Sequence, residues 1–334
     1  MTTKRLTTVI ALGILAGGII SFIPSSSSAD SFFTAKAQNN NRHTSGSTIE
    51  CPHCGHSIRL SASTGSETSG SYNYDYNYSY SAGDRADIPS DNSQKVKTIS
   101  VNNFTKVMVS RGLPVIYVQG ALKPVKIEGK RDIVDAVKVT DDYGTVTISL
   151  PSGKNFNTKD LMITLTSPNL TDVQISSGSS FMCSSEIKTS KALNITGKAG
   201  SAITLSSLSA STLNADISGG SALSIGRANV DTSNLDISGG SGINLTQLKC
   251  KTFNCNLSSG SGLTVSGSAK NGNIGISGGS SYNGNQFDMG AGNIDISGGS
   301  AANLNGNKLN VDCDKSSIVT GFSSKNSSKI KISK

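Results

Sequence analysis

The chain has 334 residues, of which 35% are hydrophobic and 5% aromatic, with no Trp and 36 Gly. Counting Gly, the apolar share is about 46%, inside the usual range for soluble domains, so the chain lacks bulky side chains rather than apolar ones. A wide aromatic core is excluded, and a narrow core repeated many times fits. Charged residues are only 16%, which excludes a coiled coil; the net charge of +8 is scattered without a basic run and reads as a solvated surface, not a nucleic-acid face.

Residues 1–37 have the layout of a secretory signal. Lys4 and Arg5 precede a mostly apolar stretch, Leu6–Ile23, which Pro24 ends. Small-residue cleavage sites follow at Ser27-Ser28-Ala29 and Ala35-Lys36-Ala37, and cleavage is expected after Ala37, with Ala29 as the alternative. No Cys directly follows the apolar run, and no later stretch is long and apolar enough to span a bilayer. The expected destination is export, to the periplasm, the outer surface or the medium.

Residues 38–95 form a Ser/Asn/Tyr-rich segment with the composition of a flexible linker, including SYNYDYNYSY at Ser71–Tyr80. Inside it lies CPHCGH, with Cys51, His53, Cys54 and His56; His43 completes the chain's three histidines. Two thiolates on a tight turn followed by Gly are zinc-knuckle chemistry, and His53, His56 or His43, or a second chain, would have to complete a tetrahedral set. The same CxxC spacing serves thiol redox, but no βαβ pattern surrounds it. A local disulfide is the third reading. No other cofactor is expected.

From residue 96 to 170, apolar pairs at alternate positions indicate half-buried strands: Val107 and Val109, Val115 and Tyr117, Val125 and Ile127, Val137 and Val139, Val146 and Ile148, Ile163 and Leu165. Gly112, Gly120, Gly129, Gly144 and Pro151-Ser152-Gly153 read as turns. Helical periodicity is not evident.

Residues 171–334 carry a repeat. SGGS or SSGS motifs, with one KAGS variant, end at Ser179, Ser201, Ser221, Ser241, Ser261, Ser280 and Ser300, and a weaker copy centres on Ser317. The intervals are 22, 20, 20, 20, 19 and 20 residues before that last copy, and a fixed period near twenty marks a solenoid. The residue before each anchor is Gly178, Gly200, Gly220, Gly240, Gly260, Gly279 or Gly299, which implies a bend at positive φ or close stacking. Six before the anchor stand Val173, Ile195, Ala215, Leu235, Cys255, Ile274, Ile294 and Val311, an apolar column between polar ones. The expected fold is therefore all-β: a right-handed, single-stranded β-helix of about 20 residues per coil, preceded by a β-strand lead-in region, with coils about 4.8 Å apart.

Seven before the anchor stand Asn194, Asn214, Asn234, Asn254, Asn273, Asn293 and Asn310, with Asp172 in the first copy; stacked amides of this kind form hydrogen-bonded ladders. Two positions further, Asp216, Asp236, Asn256, Gly275, Asp295 and Asp312 make an acidic edge. The column could invite a cation, although the calcium-binding nonapeptide is absent. Cys183, Cys250, Cys255 and Cys313 fall in different columns with small or aliphatic residues and are expected to be buried free thiols.

Segments VNNFTKVMVSRGLPVIYVQG, DDYGTVTISLP and LMITLTSPNLTDVQISSGSS, followed by the SGGS repeats, resemble the auto-transporter adhesin head GIN domain family (DUF2807) over about residues 97–330. The resemblance implies an exported bacterial β-solenoid and an adhesin-like role. It does not extend to CPHCGH or the Tyr-rich segment.

The sequence thus points to a non-catalytic exported module with a repetitive polar face, its partner a glycan, extracellular matrix or another surface protein. A structural spacer or homo-oligomeric assembly is the alternative. A polysaccharide-active enzyme built on Asp216, Asp236 and Asp295 is the third reading, and no catalytic motif supports it. The CPHCGH readings separate on metal content. If it is a zinc site, purified protein carries zinc that the Cys51→Ser/Cys54→Ser variant lacks; equal metal in both refutes it.

Overall fold

The computed structural model describes residues 93–321, and outside them the backbone of β1 (Thr44–Glu50), β2 (Ser57–Ser63), β3 (Tyr80–Ser81) and a C-terminal strand, Lys329–Ile332. β1 and β2 pair antiparallel, Glu50 opposite Ser57. The signal segment and Cys51, His53, Cys54 and His56 lie outside the described residues.

The remaining elements follow the period-two and period-twenty patterns. The lead-in contains β4 (Gln94–Ile99), β5 (Lys106–Val109), β6 (Pro114–Gln119), β7 (Lys123–Lys130), α1 (Arg131–Ala136), β8 (Lys138–Asp142), β9 (Thr145–Ser149) and β10 (Met162–Ser167). The repeats form β11 (Asp172–Ser176), β12 (Ser180–Lys188), β13 (Ala192–Lys198), β14 (Ala202–Ile217), β15 (Ala222–Ile237), β16 (Gly242–Leu257), β17 (Gly262–Ile276), β18 (Ser281–Ile296), β19 (Ala301–Asn303), β20 (Gly306–Cys313), β21 (Ile318–Thr320) and β22 (Lys329–Ile332). From β11 onward the pairing is parallel, each coil on the next, so Asn214 meets Asn234 and Ile217 meets Ile237. This is the stacked β-solenoid that the repeat demands.

The corner of each coil is a pair of left-handed residues. The second is always Gly, at φ of 72–75° from Gly178 to Gly299, just past the small left-handed well open to L-residues at about +50 to +70°. The first sits at lower φ, which is why Ser177 (54°), Ala199 (53°) and Ser259 (55°) are accepted there. The corner amides bond from coil to coil: Gly200 N donates to Gly219 O at 2.9 Å and Gly220 N to Gly239 O at 3.0 Å. The anchor serines add a second tie. The amide of Ser201 donates to Ser221 Oγ (3.2 Å), that of Ser221 to Ser241 Oγ (3.1 Å) and that of Ser300 to Ser317 Oγ (3.1 Å), so Ser317 takes the anchor role.

The same device reaches back into the lead-in. Arg111 and Gly112 have φ of 68° and 72°, Gly112 N donates to Ser177 O (2.9 Å), and Leu113 N donates to Ser179 Oγ (3.2 Å). Ser110-Arg111-Gly112-Leu113 is thus a coil corner in which Leu replaces the anchor Ser. β5 pairs in parallel with β11, Val107 on Val173, and β6 with β12, Val115 on Phe181. Gln119 fastens this junction: its Nε2 donates to Lys188 O (2.8 Å) and its Oε1 accepts from Lys188 N (2.7 Å), as a strand backbone would.

Core volume is balanced between positions. Gly284 stands where other coils carry Leu205, Ile225, Leu245 or Val265, and a Cβ there would lie 2.5 Å from the Tyr282 hydroxyl, so the Tyr ring fills the vacated space. Met289 does the same beside Gly272 and Gly292, whose added Cβ atoms would lie 2.8 and 2.7 Å from its side chain. The single 19-residue interval is absorbed in β17 at Gly267 (φ 118°), where a Cβ would strike Leu248 O.

Two features differ from the sequence expectation. Arg131–Ala136 is helical, with Ile133 and Val134 buried; six residues are too few to display a helical period. Gly129 lies inside β7 rather than in a turn, packed against the Asp160–Leu161 backbone, where a Cβ would come within 3.1 Å.

The ends of the stack are finished differently. At the N-terminal end, edge strand β4 places Lys95 and Lys97 on the core-facing side, opposite Gly129 and Ile127, and Lys95 pairs with Asp135 of α1. Inward charge on an edge strand opposes pairing with another sheet. At the C-terminal end, Asp314 and Ser316 replace a missing corner: Gly298 N donates to Asp314 Oδ2 (2.8 Å) and Gly299 N to Ser316 Oγ (2.9 Å).

Hydrogen bonds from Ser317, Gly298 and Ser316 hold the Asp314 carboxyl at about 2, below its ordinary 3.8. The folded state therefore favours the carboxylate, and this contribution is present above about pH 4 and lost as pH falls toward 2. Relative to the intrinsic exchange rate at each pH, the Gly298 and Gly299 amides should be protected at about pH 5 and lose protection at about pH 2, and Asp314→Ala should lack protection at both. Equal protection in the variant would refute the cap.

Candidate functional site

One strand of each coil turns two polar columns outward, at alternate positions, around the buried Ile195–Val311 column. The first is the Asn column, and it is a continuous one-way ladder. Asn214 Nδ2 donates to Asn194 Oδ1 at 2.8 Å, Asn234 to Asn214 at 2.9 Å and Asn254 to Asn234 at 2.9 Å. Asn273, Asn293 and Asn310 continue it at 3.3, 3.3 and 3.4 Å. Its N-terminal end closes on the Asp172 carboxylate, which accepts from Asn194 Nδ2 at 3.1 Å and from Thr171 Oγ1 at 2.7 Å. The ladder lengthens at Asn273, in the coil where Gly275 interrupts the neighbouring column.

The second column runs Thr196, Asp216, Asp236, Asn256, Gly275, Asp295 and Asp312. Lys198 pairs with Asp216 at 3.4 Å across an exposed surface, a contact worth little by itself. Between the columns lie two shallow, solvent-open depressions of about 390 and 500 Å³. The first is bounded by Asn194, Asn214 and Asn234 on one side and Asp216 and Asp236 on the other; the second by Asn273 and Asn293 facing Asp295 and Asp312. Both include Asn254 and Asn256, so they join into one trough along the solenoid axis.

Each ladder amide spends one N–H along the axis and keeps its second for a ligand, while the Asp carboxylates opposite only accept. The trough therefore repeats a donor row facing an acceptor row at the strand spacing of about 4.8 Å.

The structure brings together the expected corner glycines and the expected Asn ladder. It places Cys183, Cys250, Cys255 and Cys313 as separate, buried free thiols. Burial pushes the Cys250 thiol up to about 12, and burial with the nearby Asp236 raises Cys255 well above its ordinary value, so neither supplies a thiolate. Among the described residues no group of three or more His, Cys, Asp or Glu is placed to hold a metal ion. The sequence reading missed the bonding role of the anchor serines and the corner at Ser110–Leu113. The second had a signal, a Gly after a polar pair followed by alternating apolar residues, but Arg and Leu in place of Gly and Ser hid it.

This architecture, a parallel solenoid with glycine corners and laddered polar columns, defines the class as a repeat-built β-solenoid. The sequence matches the family described as "Putative auto-transporter adhesin, head GIN domain" over residues 103–261 and 223–320, and the chain belongs to that family. No curated protein matches it at a significant level. Solved structures share the fold, among them the following three. A putative adhesin from Bacteroides fragilis is 17% identical, with a TM-score of 0.54, covering 69% of this chain and 97% of its own. One from Parabacteroides merdae is 15% identical at 0.55, covering 73% and 98%. One from Parabacteroides distasonis is 17% identical at 0.55, covering 73% and 96%. Among the described residues no helix is long and apolar enough to cross a membrane.

Truncating one rung tests the ladder. Asn234→Ala leaves Asn214 Oδ1 without its donor and Asn254 Nδ2 without its acceptor, and should lower unfolding free energy by about 1–3 kcal/mol in chemical denaturation. A change within about 0.5 kcal/mol, the range of ordinary surface substitutions, would refute a ladder contribution.

Proposed function

We propose that the protein is an exported, non-catalytic adhesin-like module whose Asn/Asp trough is its contact surface. The observation that carries this reading is the continuity of the trough across many coils: it offers repeated equivalent contacts, the arrangement that suits a weak, multivalent grip on an extended partner. Export is supported by the signal-like Met1–Ala37 segment, and adhesion by family membership. The enzymatic reading gains nothing from the site. Asp216 and Asp236 are both exposed, and a general acid needs the burial that they lack. End-to-end assembly is opposed at the N-terminal end by inward Lys95 and Lys97 and by α1.

The test is adhesion of beads coated with the purified protein to glycan-coated, matrix-coated and cellular surfaces. Asp236→Lys with Asp295→Lys should reduce retention about tenfold, and Lys249→Glu, on another side of the coil, should leave it unchanged. Equal retention by all three proteins refutes the trough as the contact surface.

A further inference from the structure

The ligand class can be read from the trough and from one residue in register beyond its N-terminal end; this step rests on the reading of the trough as the contact surface. We propose that the trough binds a neutral or amine-bearing polysaccharide laid along the solenoid axis, with Tyr143 as an aromatic platform for a sugar ring at the N-terminal end.

The chemistry of the two columns selects hydroxyl groups. A hydroxyl both accepts and donates. Lying between the rows, it accepts from a free Asn N–H and donates to an Asp carboxylate, and a polymer of hydroxyl-bearing rings repeats that exchange along the axis. No Lys or Arg lines either depression, and Lys198, on Asp216, is the cation that pairs with this row among the described residues, so along Asp236 and Asp295 a polyanion meets carboxylates. No large exposed apolar side chain lines them either, which leaves the apolar side chains of an extended peptide without pockets.

Tyr143 is the independent observation. β8 and β9 are joined by the two residues Tyr143 and Gly144, with Asp142 opposite Thr145. Both linking residues have positive φ, 46° and 72°, as a type I′ turn requires. Asn, Asp or Gly suits the first of these positions, and a bulky ring there is an outlier. Tyr143 is 98% exposed, so its ring does not serve the core. An unfavourable residue kept at a fully presented position points to contact with a ligand.

The register puts this turn on the trough's own face. Asp142, Thr145, Lys106, Asp172 and Asn194 are successive partners in one column, the one that becomes the Asn ladder. Thr147 and Met108, the latter 40% exposed, continue the Asp column. Thr145 therefore lies three strand spacings, about 14 Å, from the first ladder amide. The apolar C–H face of a sugar suits an aromatic ring, while the hydroxyl edges of the following sugars suit the amide and carboxylate rows.

The adhesion assay above, repeated with soluble competitors, tests the inference. A neutral β-linked glucan or partly deacetylated chitin oligomers should displace the protein, and heparin should not. Tyr143→Asn should weaken glycan binding about tenfold. Its thermal midpoint should not fall, because Asn adopts positive φ more readily than Tyr. The inference is overturned if heparin alone competes, or if Tyr143→Asn binds glycan unchanged. It is also overturned if neither glycan competes and protease treatment of the target surface abolishes trough-dependent adhesion, which would identify a protein partner. Adhesion indifferent to the Asp236→Lys/Asp295→Lys substitution would instead overturn the contact-surface reading itself.

Discussion

The structure depends on one constraint: each coil must return the chain to the same place after the same number of residues. The paired left-handed corner does this. Its second residue sits where a Cβ is disfavoured by φ alone, since around Gly220, Gly240, Gly279 and Gly299 no atom lies within 4 Å of an added Cβ. The glycine is required by torsion and not by crowding. Once the corners align, their amides bond along the axis, and every strand pair between them falls into register. A one-residue slip would turn an apolar column outward.

Stacking in register converts a composition into a surface. Identical residues in successive coils become neighbours about 4.8 Å apart, so Asn repeats become a ladder and Asp repeats an acidic edge. The ladder has a direction, set by Asp172, which can only accept when ionised and so orients every amide above it. The same geometry that stabilises the Asn column leaves one N–H per coil for a ligand. Fold and candidate site are thus one arrangement of atoms.

Part of this was legible in the residues. The period and the Gly before each anchor marked the corners, and the Asn spacing marked the ladder, because parallel in-register stacking makes a sequence column a spatial column. Other parts were not. Arg111 and Leu113 disguise a corner that only its φ values and its bonds to Ser177 and Ser179 disclose. Gly144 marked a turn, but nothing local says that the turn, with Tyr143, lies in register beyond the end of the Asn column. Lys95 and Lys97 read as scattered surface charge, yet they lie on the core-facing side of an edge strand.

By itself, then, the sequence determined the all-β solenoid, its coil length, its inward columns and the amide ladder, since each of these is a one-dimensional period carried into space by strand pairing. The tertiary structure alone decided that the lead-in strands stack beneath the repeats, that Tyr282 and Met289 fill the space left by Gly284, Gly272 and Gly292, and that the two polar columns border a shallow trough. These depend on contacts between positions that share no period, and such contacts are set by packing and closure rather than by local pattern.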